Sequence, residues 1–164
     1  MISVDIDYSG VIAGLDRMPP IVARAVEQKM KVLTLDLQGY VISQKLQGQV
    51  LNHRSGALSR SIQQDVIAEG DKVTGEVFSA GDVKYAAIHE FGGVIPAHDI
   101  VPNKAGALAF MMDGRQVFAS VVHMPDVTMP ERSFLRSSLE EKSTEIVAGI
   151  EAAALFGAKE ALGE

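Results

Sequence analysis

Residues 85–93 read YAAIHEFGG, and residues 130–139 read PERSFLRSSL. The first has the form of a short helix, starting near Val83, that Gly92-Gly93 stops, because glycine readily takes the left-handed conformation that ends helices. The second opens on a proline, which suits a first helical turn, so the last helix is expected to begin at Pro130 or Glu131. On these helices Tyr85 and His89 share a face, and Ile88 and Phe91 are expected to face the core. Arg132 and Arg136, four apart, are expected on one face, held in place by the burial of Phe134 and Leu135. Neither stretch offers a nucleophile together with a base and an orienting group. Both read as parts that fix one surface against another, which points away from an enzyme.

Before the first stretch, Ile21 to about Val50 has helical periodicity. One stripe holds Val22, Val26, Met30, Leu33, Leu37, Tyr40 and Val41. Another, roughly opposite, holds Ile21, Val32, Leu35, Ile42, Leu46 and Val50. A helix apolar on two sides must be covered twice. The chain's own sheet can supply one cover, and the last helix or a neighbouring subunit the other. Gly39, costly inside a helix, is expected to mark a kink or a close packing point. Residues 2–7 (ISVDID) alternate as a half-buried strand does, adding to the sheet or serving a partner. Residues 9–16 are read as one or two helical turns, and Ser55 and Asp82 as helix caps.

The β structure is expected from two hairpins. Ser61–Ala68 and Val73–Ser79 flank a Glu69-Gly70-Asp71-Lys72 turn. Ala107–Met112 and Val117–His123 flank Asp113-Gly114, a strong hairpin signal. Between the first stretch and the second hairpin, residues 94–108 are rich in Gly, Ala and Pro, and connections this long are usually functional or disordered. They are read as an extended arm that orders on a partner. Met124–Met129 is read as a loop, and the last helix as running to about Phe156. The fold expected is a single α+β domain: a mostly antiparallel sheet of about four strands, packed by the long helix and the C-terminal helix.

Composition narrows the function. The chain has 164 residues, enough for one domain with a real core, and 47% are hydrophobic but only 5% aromatic, so Val, Ile, Leu, Ala and Met must build that core. It contains no Cys, which excludes disulfides and thiolate metal sites and suits a reducing compartment. The N-terminus shows no signal-peptide pattern and no apolar run is long enough to span a bilayer, so a soluble cytoplasmic product is expected. The net charge is −6, with 15 basic residues scattered among 21 acidic ones. Tight nucleic-acid binding needs clustered cations, so the balance argues against it, although a channel that passes a duplex without gripping it should repel phosphate.

Candidate chemistry finds little support. His89-Glu90 begins like a zinc-protease HExxH helix, but position 93 holds Gly93. His53, His98 and His123 show no ligand spacing, and no serine lies in a G-x-S-x-G turn. Glu140-Glu141 reads as a solvated face. No catalytic, cofactor-binding or metal-ligating residue is therefore assigned. A small metal-dependent hydrolase is the distant alternative. Arg132 and Arg136 suit bidentate bonds to carboxylates across an interface, with an Arg136–Glu140 bridge as the internal alternative.

The ordered set of SGALSRSI, YAAIHEFGG, a Pro- and Lys-containing arm, LAF, a hairpin ending VHMP, and RSFLRSSL resembles the tail-component (virion morphogenesis) family of tailed bacteriophages and prophages, over roughly residues 20–140. The family's aromatic-Ala-x-x-x-Glu-Phe-Gly pattern is matched by Tyr85, Ala86, Glu90, Phe91 and Gly92. Its Arg-Pro-Phe-Leu-Arg pattern is matched by Arg132, Phe134, Leu135 and Arg136, with Ser133 in place of the proline. The resemblance implies a structural protein of the virion: a ring-forming neck or tail-completion component at the head–tail junction, or, as the neighbouring role, a tail terminator. It implies self-association and contacts with other connector or tail proteins. DNA would be only passing cargo in the lumen, and there would be no membrane partner and no cofactor. The protein would sit in the host cytoplasm during assembly and in the virion afterwards. Tyr85, His89, Glu90, Ile95, Pro96, Ile100, Lys104, Arg132 and Arg136 are the expected interface residues.

Overall fold

Helix α1 (Pro20–Tyr40) is the axis of the molecule, and it continues without a break into one π-helical stretch, Val41–Lys45. In this computed structural model residues 2–6, 20–48, 50–51, 56–70, 72–81, 83, 85–103 and 106–162 are described, residues 2–6 by their backbone alone. The expected turns at 9–16 and the caps at Ser55 and Asp82 lie outside the described residues, as does Lys104.

The first stripe of α1 is the core. Val22, Val26, Met30, Leu33, Leu37 and Val41 are all buried. Two covers meet it, both from this chain. One is a three-stranded antiparallel sheet in the order β1-β3-β2, formed by β1 (Ile2–Ile6), β2 (Ile62–Glu69) and β3 (Lys72–Ser79). The N-terminal strand thus joins the sheet, and β3 is central because both neighbours pair with it. The other cover is the long C-terminal helix. A one-and-a-half-turn helix, α2 (Ala57–Ser61), leads into β2, and the Ser61 and Ser79 hydroxyls share a buried hydrogen bond of 2.8 Å.

Small residues set how closely α1 is approached. A Cβ at Gly75 on β3 would lie 2.5 Å from Thr34 Cγ2 and 2.9 Å from Met30 Sδ. On the opposite side, a Cβ at Gly157 would lie 2.8 Å from the Val22 Cα. Gly39 marks no such contact: space around it is open, and it stands just before the change from α to π winding. Across that change the Tyr40 hydroxyl donates to Glu141 Oε2 at 2.7 Å and Lys45 Nζ to Glu141 Oε1 at 2.6 Å, so Glu141 ties the end of α1 to the last helix instead of lying on a simply solvated face.

Helix α3 (Tyr85–Phe91) ends at Gly92, whose φ is 68°. From there the chain leaves as a two-stranded antiparallel ribbon and returns. Its base pairs β4 (Gly93–Ile95) with β9 (Val127–Met129), its middle pairs β5 (His98–Ile100) with β8 (Val122–Met124), and its tip pairs β6 (Leu108–Met112) with β7 (Arg115–Ala119). The tip turn has φ 52° at Asp113 and 76° at Gly114, the mirror-type geometry that tight hairpins favour. Base and middle share one register. Between middle and tip the register changes: Ile100 pairs with Val122, whereas Leu108 pairs with Ala119. The α+β class, both hairpins and both long helices are as the sequence predicts. The hairpins have different homes, one in the sheet on α1 and one at the end of the ribbon. The expected arm, 94–108, is one limb of that ribbon. The expected loop at 124–129 contains β9, because Gly93–Ile95 supplies it with backbone partners.

Helix α4 (Arg136–Leu162) starts later than the expected Pro130 or Glu131 and ends later than Phe156. Residues 130–135 are not helical, because they are held by α3.

Candidate assembly surface

The two stretches singled out in the sequence meet at the base of the ribbon. The Arg132 N–H donates to the His89 carbonyl at 2.8 Å, and a Cβ at Gly92 would fall 2.8 Å from the Glu131 nitrogen. Gly92 is thus needed twice, for its left-handed φ and for this close approach.

Glu90 is the centre of the junction. Its side chain is fully buried. Oε2 accepts from the Phe134 and Leu135 N–H groups at 2.8 and 2.9 Å, and Oε1 from the Arg136 N–H at 2.9 Å and the Ser133 hydroxyl at 2.7 Å. The first N–H groups of a helix have no partner within it, and they carry the positive end of the helix dipole. A carboxylate from a different helix satisfies them here. Burial pushes the Glu90 carboxyl up, but the Leu135, Arg136 and Phe134 N–H groups and the Ser133 hydroxyl together hold it below the usual carboxylate range. The serine at 133 therefore contributes a bond that a proline could not.

Several expectations are corrected at this junction. Glu90, expected on an interface, has no exposed surface in this chain and serves as an internal cap. Arg132 and Arg136 do not share a helical face, since Arg132 precedes α4 and Arg136 is its first residue. The Arg136 guanidinium is engaged within the chain, by the Glu90 carbonyl at 3.2 Å and Glu131 Oε1 at 2.5 Å, and it lies over the Phe91 ring at 5.1 Å. That stacking keeps Phe91 at the surface, where the sequence had placed it in the core. Arg136 pairs with Glu131 and Glu90 and not with Glu140.

Beside the junction, Tyr85 is exposed and its ring meets His89 edge-on at 5.9 Å. His89 Nδ1 is buried without a hydrogen-bond partner among the described residues, and burial together with the Arg132 charge lowers the His89 pKa, so the ring is neutral near pH 7. Ile95 is half-buried, whereas Pro96 and Ile100 are exposed on the ribbon. Among the described residues no group of three His, Cys, Asp or Glu is placed to hold a metal ion, and no helix is long and apolar enough to cross a membrane.

The ribbon carries many of the exposed apolar side chains among the described residues. Cross-strand partners share a face and neighbours along a strand alternate. Leu108, Phe110, Met112 and Val117 therefore line one face of the tip, and Met111 and Phe118 the other. Met111 is 67% exposed and Phe118 65%. Val94, Ile100, Val101 and Val121 continue the apolar exposure toward the base. The main contacts of every ribbon strand are with its own ribbon partner. Fully extended at about 3.4 Å per residue, the limb 115–129 would measure about 50 Å.

A second apolar surface lies on the body. The second stripe of α1 is covered only toward its C-terminal end, where Leu46 is buried. Ile21, Val32 and Leu35 stay exposed. Ile21 and Val32, with Ala25, Ala153 and Phe156, line a cavity of about 470 Å³ between α1 and α4, flanked by Arg24, Lys29 and Glu160. The stripe was visible in the sequence, but the contribution of Phe156 was not, since α4 was expected to end there. Compared with protein-family models, with curated proteins and with solved structures, the chain matches none.

Proposed function

We propose that this chain is a self-assembling structural protein of a tailed phage or prophage virion, a ring-forming neck or tail-completion component at the head–tail junction that carries out no reaction. One observation supports this above the others: the 93–129 ribbon carries exposed apolar side chains on both faces, and its strands make their main contacts with each other. A lone two-stranded ribbon is marginal in water. Fully extended, a ribbon about 50 Å long and about 10 Å wide would present about 500 Å² per face, more than half of the roughly 800 Å² per partner of a standard interface. In a ring each ribbon lies between two neighbours, one on each face. The net charge of −6 suits a conduit that lets DNA pass without retaining it.

The direct test is the mass of the protein in solution, followed by imaging of the particle that contains it. Gly93 and Met129 are paired neighbours, so residues 94–128 can be replaced by a short glycine linker without separating the segments Glu90 joins. The excised chain is expected to remain a folded monomer, whereas the full chain assembles. Rings that form equally well without the ribbon would refute its role, and a full chain that stays monomeric at all concentrations would refute self-assembly.

A further inference from the structure

A head-to-tail ring requires two different patches on each copy, one fitting the other. The ribbon supplies one, and the cavity between α1 and α4 is a concave match for it. We propose that the β6–β7 tip of one copy seats in the α1–α4 groove of the next copy. This rests on the self-assembly proposed above and specifies which surfaces meet.

Shape, chemistry and charge agree. The tip is convex and presents Phe110, Met111, Met112 and Phe118, and methionine adapts to irregular apolar gaps. The groove offers Ile21, Val32 and Phe156 at its open side. The turn of the tip carries Asp113 and Arg115, and the groove is flanked by Arg24 and Lys29 on α1 and Glu160 on α4. Among the described residues none of these five charges takes part in a salt bridge. Asp113 toward Arg24 and Lys29, with Arg115 toward Glu160, pairs them with opposite signs. Two grooves meeting about a twofold axis would instead set a hollow against a hollow. The main contacts of β6 and β7 are with each other, which leaves the tip available to a neighbour.

The chain contains no Cys, so introduced thiols report without background. Met111→Cys on the tip and Val32→Cys in the groove both replace exposed side chains. With a short bismaleimide crosslinker, neither single variant alone should join copies, and an equal mixture of the two should give only dimers. The double variant should give a ladder ending at the closed ring. Dimers from Val32→Cys alone would show groove meeting groove and overturn the proposal, as would dimers from Met111→Cys alone. Normal assembly by mass with no ladder would sink the docking while leaving self-assembly standing, whereas a chain that remains monomeric would sink both. As a second measurement, Asp113→Lys should weaken self-association about tenfold, and adding Lys29→Glu should restore it. A loss that the second change fails to repair would count against the pairing.

Discussion

The body and the ribbon use the same kinds of residue to opposite ends. In the body, α1 is covered on two sides, and the covers come so close that Gly75 and Gly157 leave no room for a side chain. In the ribbon, Met111, Met112 and Phe118 stand in solvent on strands that pair only with each other. Apolar residues thus do two jobs in this chain. Some drive its own folding, and the rest stand in solvent, where the assembly proposed above would use them. Exposed apolar side chains grouped on one element are the feature on which the proposed assembly rests.

Four measurements can break or sharpen that contrast. Glu90→Ala should have the largest effect, a loss of about 3–5 kcal/mol in unfolding free energy, because it strands several buried N–H groups at the start of α4. A smaller loss in a denaturant titration would mean the junction is less central than its geometry implies. Gly157→Leu should cost about 2–3 kcal/mol by forcing α4 away from Val22, and a neutral result would show that the two helices can part freely. Acid should act through the same carboxylate as the first variant. Its folded-state pKa lies below that of an unfolded glutamate, so its contribution is fully present at neutral pH. That contribution should fade as the pH drops below about 4.5 and through the folded pKa, and this part of the acid dependence should be missing from Glu90→Gln. The smallest change in stability is expected from Met111→Ser combined with Phe118→Ser, within about 0.5 kcal/mol, since neither side chain is buried in one copy. The same pair should impair assembly, and a large drop in monomer stability would place the ribbon in the fold instead.

What the sequence disclosed follows from how local each signal was. The buried stripe of α1 repeats at helical spacing, and Asp113-Gly114 announces its own turn, so both could be read directly. The strands β4, β5, β8 and β9 are three residues each, and Pro96 and Pro125 interrupt them, which leaves too few residues for alternation to show. Their identity comes from pairing between limbs about thirty residues apart. The role of Glu90 was hidden for a similar reason, since its partners begin at Ser133. One clue was present. An acidic residue near the C-terminal end of its own helix opposes that helix's dipole, so it needs a reason from elsewhere in the chain. The groove went unread because it forms only where α4, longer than expected, reaches back along α1.

The Glu90 junction also bears on how such a chain can change. It clasps residues just before the ribbon to residues just after it, so everything from 94 to 128 hangs from a closed neck as a cassette. Lengthening or exchanging that cassette alters loop-closure entropy only logarithmically. Its length and sequence can therefore diversify while the core beneath keeps the same side chains.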